Sequence, residues 1–175
     1  MKHSRLVFIL GLIVAAAVAR ILPHPWNFTP VGAIALFAGA HLRSRRLAYA
    51  VPLAAMLVSD LVIGLHPLMP VVYACFALTV GIGRLLRGRR TPLPVAGATL
   101  ASSVLFFVVT NFGVWALGGW YPLNLPGLIA CYVAGIPYFR NTLLSDALYT
   151  AVLFGGLALA ERAFPSLREV SARNA

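Results

Sequence analysis

The sequence predicts an all-α integral membrane protein: six transmembrane helices, a short outer interfacial or re-entrant helix between spans five and six, and both termini cytoplasmic. Three observations predict it. Hydrophobic residues fill 61% of the 175 positions and charged residues only 10%, far from the balance of a soluble domain. The apolar stretches recur along the whole length with no polar segment long enough to fold separately, so residues 1–175 read as one integral membrane domain. The basic residues collect in alternate connections between those stretches, the arrangement expected where cytoplasmic loops are enriched in Lys and Arg.

With about 20 apolar residues per crossing, the spans fall at approximately 6–22, 31–42, 47–65, 71–86, 95–115 and 141–160. The second is short and must be tilted, locally thinned around or packed inside the bundle. The stretch NFTP before it offers Thr29 as a helix cap and Pro30 as the first helical residue. With the N-terminus inside, the cytoplasmic segments hold Lys2, Arg5, Arg43, Arg45, Arg46, Arg84, Arg87, Arg89, Arg90, Arg162, Arg168 and Arg173, leaving only Arg20 and Arg140 outside. A missed or invented span would scramble that split. The net charge of +10 therefore reports topology; scattered between apolar runs, the basic residues form no domain that could hold a nucleic acid.

The opening MKHSRLVFILGLIVAAAVA also reads as a secretory signal, whose removal would leave five spans. A retained first helix is the expectation, and Ala15 and Ala19, four residues apart, would let another helix approach closely. Residues 118–139, GGWYPLNLPGLIACYVAGIPYF, are too apolar for a free loop. Pro126 and Pro137 bracket about ten helix-competent residues, too few to span. They read as the interfacial or re-entrant helix over the outer mouth, with Gly118 and Gly119 as a hinge or a simple turn.

Against this frame the few polar residues stand out. Asp60 sits in MLVSDLVIG about five residues before the outer end of the third span, roughly 7 to 8 Å deep by helical rise. Asp146 lies about five residues after the outer start of the sixth. The two carboxylates are thus expected at one depth, near Tyr73, Cys75, Thr110, Asn111 and Trp115, with His24, Asn27, His66, Arg140 and Asn141 in the outer loops. The inner halves of the spans are almost wholly apolar. That pattern describes a cup open to the outside with a closed floor, unlike a channel, which keeps polar groups along its length. The candidate ligand-binding residues are Asp60, Tyr73, Cys75, Asn111, Trp115, Tyr132, Arg140, Asn141 and Asp146.

Other readings of the same residues are structural. Asp60 and Asp146 can pair with Arg20 and Arg140, and Trp26, Trp115, Trp120, Tyr121, Tyr132 and Tyr138 fit an interfacial aromatic belt. Cys75 and Cys131 match no metal-ligand spacing and read as free, buried thiols. Neither aspartate stands in a Gly-x-Gly-Asp setting, and no serine-elbow, zinc-helix or phosphate-loop motif occurs. No catalytic residue, metal or cofactor is expected.

The runs ILPHPWNFTPVGAIALFAGAHL, VPLAAMLVSDLVIGLHP, SSVLFFVVTNFGVWALGGWYP and CYVAGIPYFRNTLLSDALYTAVLFG resemble a family of small bacterial membrane proteins carried as uncharacterised transport proteins. The resemblance covers most of the chain from Ile21 to Glu161. That family in turn resembles the substrate-binding S components of energy-coupling factor (ECF) transporters, in its short second helix rich in Ala and Gly and its third helix ending in Asp-Leu and Gly. The resemblance implies uptake of a vitamin or similar micronutrient bound near the outer face of the bacterial inner membrane. It also implies a separate energy-coupling membrane subunit with ATPases, met by the first helix at Ala15 and Ala19. The chain has no nucleotide-binding motif of its own, so active uptake would draw on a partner or a gradient. A stand-alone or ion-coupled carrier of small solutes is the second reading, and a structural membrane protein without ligand the third.

Overall fold

The computed structural model describes residues 3–168; Lys2 and Arg173 of the charge map lie outside the described residues. The described residues form six helices, α1 (His3–Ala19), α2 (Val31–His41), α3 (Arg45–Ile63), α4 (Met69–Leu85), α5 (Pro92–Leu117) and α6 (Leu125–Ala163), followed by a 3₁₀ turn at Pro165–Leu167. The all-helical expectation is borne out. Three helices, α3, α5 and α6, are long and apolar enough to cross a membrane, whereas α1, α2 and α4 are shorter apolar helices. Their outward faces carry large apolar side chains, among them Val7 and Val14 on α1, Val58 and Leu61 on α3, Leu100 and Val104 on α5, and Leu144 and Leu148 on α6. Such faces suit a hydrocarbon solvent.

The short second helix is the centre of the bundle. At 11 residues α2 is about 16 Å long, too short to cross the hydrocarbon core by itself. All of it except Gly32 is buried, and it packs against each of the other five helices. Its small residues make this possible. A Cβ on Gly39 would strike the Val80 carbonyl oxygen, and a Cβ on Gly83 would strike the Leu36 carbonyl oxygen. The backbones of α2 and α4 therefore cross in contact, as small residues allow in apolar surroundings. The N-terminus of α2 differs in detail from the sequence expectation: Pro30 itself occupies the capping position in the right-handed region, and no side chain, Thr29 included, caps the helix.

The separate outer helix is corrected. Residues 125–163 form one helix, with Asn124 as its cap accepting a hydrogen bond from the Gly127 N–H (2.9 Å) and Pro137 inside it. A proline removes one backbone hydrogen bond and normally kinks or stops a helix, but neighbouring elements can hold an apolar helix together across it. Here α5 grips α6 on both sides of Pro137. The Tyr132 hydroxyl donates to the Val108 carbonyl (2.7 Å) on one side, and Ser103 donates to Asp146 (2.7 Å) on the other. Gly118 and Gly119, with Gly119 at φ +67°, make the turn between α5 and α6. The helix that follows is bonded along α5, so it does not form a free lid.

The arginine-rich ends of the helices meet at one end of the bundle. Arg5, almost fully buried, pairs with Glu161 at 2.6 Å and donates to the Leu167 carbonyl at 3.1 Å, tying the start of α1 to the end of α6. Arg87 donates to the Arg43 carbonyl at 3.2 Å, tying the α4–α5 connection to the α2–α3 connection. Above this end the core is apolar: Ile9, Ile13, Phe37, Val80, Leu153 and Leu157 pack together. Buried His41 lies against Phe37 and Phe154 and bonds the Phe37 carbonyl at 3.1 Å.

Candidate functional site: a blind cavity with two unlike aspartates

Between the core and the opposite end lies a cavity of about 500 Å³. Its rim is built by Asn27 and Thr29 ahead of α2, His66 and Leu68 ahead of α4, and Trp120 and Tyr121 at the α5–α6 turn. Its walls come from α4, α5 and α6, including Phe76, Phe106, Asn111, Cys131 and Tyr138. The rings of Phe76 and Phe106 lie 5.1 Å apart and form an aromatic face. The lining positions nearest the arginine-rich end are Gly32, Thr79, Ser102 and Asp146; beyond them lie the buried Thr99–Thr150 pair and the apolar core. The cavity is therefore blind at that end, which agrees with the closed floor read from the sequence.

Asp60 and Asp146 share the local pattern Ser-Asp after an aliphatic residue, yet their surroundings are opposite. Asp60, 2% exposed, is spent on a local network. Arg20 Nη2 lies 2.6 Å from Asp60 Oδ1, and the Tyr73 hydroxyl donates to Oδ2 at 2.8 Å. Arg20 also reaches the Ser59 hydroxyl and donates to the Met56 carbonyl at 3.2 Å. This network joins the end of α1 to α3 and α4, and Arg20 rather than Asp60 faces the cavity. Tyr73→Phe is expected to lose a hydrogen bond to a charged acceptor, about 1.5–3 kcal/mol, read as a lower midpoint on denaturing the detergent-solubilised protein.

Asp146, 5% exposed, lines the cavity itself. Among the described residues it pairs with no cation, and its side-chain hydrogen-bond partner is the Ser103 hydroxyl, which donates to Oδ2 at 2.7 Å. A Cβ on Gly32 would collide with its carboxylate, so the start of α2 accommodates this side chain only because position 32 is glycine. Ser102, on the same lining and next in sequence to Ser103, is 4% exposed and has an Oγ without a hydrogen-bond partner among the described residues. A buried polar atom left unmatched costs free energy unless something else satisfies it. Measured by helical rise from the Arg5–Glu161 pair, Arg20 along α1 and Asp146 along α6 each lie about 22 Å away, so the shared level expected for the two carboxylates fits the geometry. Asp146 is near the middle of the 39-residue α6 and not near its start.

Of the nine candidate ligand-binding residues, the structure brings Asn111 and Asp146 to the cavity wall. Asn111 donates to the Phe107 carbonyl at 2.7 Å and packs against Gly135. The others take different positions. Asp60 and Tyr73 stand behind Arg20. Cys75 is fully buried away from the lining. Trp115 donates to the Pro122 carbonyl at 3.0 Å and braces the turn that carries Trp120 and Tyr121. Tyr132 is bonded to Val108, Asn141 donates to the Trp26 carbonyl at 2.9 Å, and Arg140 is exposed. His24 braces its own loop through the Arg20 and Pro25 carbonyls. Ser102 and Arg20 were not among the candidates; the double serine at 102–103, alone in an apolar stretch of α5, was the available signal for the first. On α1, Ala15 is exposed and Ala19 half-buried. Among the described residues no cluster of His, Cys, Asp and Glu could hold a metal ion.

The fold and site define an apolar helical bundle, with three helices able to span a membrane, enclosing a solute-sized cavity. The chain belongs to the family of unknown function DUF6580, whose model matches residues 1–167. No curated protein and no solved structure matches it.

Proposed function

We propose that the protein is a multi-pass membrane protein of the bacterial inner membrane that captures a small solute for uptake, in the manner of an ECF S component. The cavity carries this reading: its size lies within the usual range for small-molecule sites of about 300–1,000 Å³, and its wall holds both a buried aspartate without a cation and a buried serine without a partner. The arginine-rich end faces the cytoplasm under the positive-inside rule, with both termini there and all six helices within the bilayer region. The cavity rim then faces outward. The solute is vitamin-sized, and membrane lipid covers the exposed apolar faces.

Energy for uptake comes from an energy-coupling membrane subunit with ATPases that meets α1. The exposed Gly11 and Ala15 on α1 support that surface, because a neighbouring helix could approach closely there. Asp146, lacking a cation, equally favours a gradient-driven carrier in which it serves as the coupling carboxylate. Uptake into vesicles without any ATPase distinguishes the two.

The capture reading is tested by purifying the protein from its native host in mild detergent and identifying retained small molecules by mass spectrometry. One vitamin-sized compound, present in the parent and absent from a folded Ser102→Ala, Asn111→Ala variant, is the expected result. Repeated recovery of well-folded parent protein carrying only lipid would sink tight capture and leave the carrier or ligand-free structural roles.

A further inference from the structure

The geometry points to the ligand class: an organic cation with a protonated amine, held by its N–H groups between the Asp146 carboxylate and the Ser102 hydroxyl, with an apolar ring against Phe76 and Phe106. This rests on the solute-capture reading and narrows it.

The argument is one of charge and unmet hydrogen bonds. Besides Asp146, and His66 at the rim, one acidic and one basic side chain stand at or directly behind the wall, and they pair: the Arg20 guanidinium is engaged by Asp60, Ser59 and the Met56 carbonyl. Asp146 is therefore the carboxylate on the lining that no cation among the described residues offsets. A buried carboxylate with a single hydroxyl donor is costly in apolar surroundings, and a ligand cation offsets that cost. Ser102 adds an oxygen able to accept from the same ammonium. It is next in sequence to Ser103, which holds the carboxylate. The remaining wall is suited to the body of such a ligand, because aromatic faces attract cations and stack on flat rings. An anionic solute would meet Asp146 as a like charge, and a neutral one would leave it unpaired.

The test uses the full-length protein in detergent and matched triplets in which one ring bears an ammonium, a hydroxyl or a carboxylate arm. Tryptamine, tryptophol and indole-3-acetate form one set, with the phenethyl and pyridylethyl equivalents as two more. Thermal stabilisation and titration calorimetry are expected to pick out the ammonium member. Asp146→Asn, which keeps the shape and an acceptor for Ser103, should weaken its binding about tenfold or more. Ser102→Ala should weaken it by a smaller factor without lowering the unliganded midpoint, because the oxygen it removes is buried without a partner. Preference for the hydroxyl or carboxylate member, or equal affinity in Asp146→Asn, would overturn the inference while leaving solute capture intact. Sodium chloride stabilising the protein through Asp146 where choline chloride does not would also overturn it, in favour of an inorganic cation site. If nothing in any triplet binds and nothing co-purifies, the capture reading fails with it.

Discussion

Arg20→Ala is expected to destabilise the protein by about 3–5 kcal/mol, the usual consequence of removing one partner from a buried ion pair. The reason lies in what remains. Asp60 would keep its place at 2% exposure with the Tyr73 hydroxyl as its only side-chain donor, and the Met56 carbonyl and Ser59 would each lose a contact. Most of the cost is the stranded carboxylate, so removing it as well should recover stability. Arg20→Met combined with Asp60→Leu should therefore lie closer to the parent than Arg20→Ala alone, since apolar replacement of a buried pair is often neutral or better. Unfolding titrations in mixed micelles would read this. Equal losses in the single and double variants would show that the network contributes through packing and not through charge.

Gly83→Ala and Gly39→Ala should each be destabilising at or above the usual overpacking range of about 1–3 kcal/mol. In both cases the added methyl meets a carbonyl oxygen of the opposite helix, and backbone cannot rotate aside as a side chain can. Gly97→Ala on α5 supplies the opposite sign. A Cβ there has nothing within 4 Å, and alanine should gain about 0.5–1 kcal/mol over glycine in a helix interior. If all three substitutions behaved alike, the close crossing of α2 and α4 would not be what holds the short helix in the centre. Because α2 also carries Gly32 against Asp146, loosening this crossing should also degrade the cavity.

The helices themselves were legible in sequence because hydropathy and helix length are local properties: the apolar runs at 47–65 and 95–115 correspond to α3 (Arg45–Ile63) and α5 (Pro92–Leu117). The sorting of arginines to one end was legible for the same reason, since Arg5, Arg43, Arg87 and Glu161 meet there. Pro137 misled, because a proline's local cost says nothing of the bonds Tyr132 and Ser103 make on either side of it.

The candidate site was half legible. A chain with four acidic residues makes each buried aspartate conspicuous, and both were found. Which of them has no cation beside it was not. Val58-Ser59-Asp60 and Leu144-Ser145-Asp146 are nearly the same local text, and only the packing of α1 and α4 against α3 brings Arg20 and Tyr73 to the first. The second meets Ser103 and Gly32 and is left facing a cavity. Composition and charge order thus determined by themselves that this chain is an apolar helical bundle with an arginine-rich end. The tertiary structure decided which carboxylate is paired with a cation and which faces a cavity, because pairing depends on which helix faces meet, and that is not a property of any one segment.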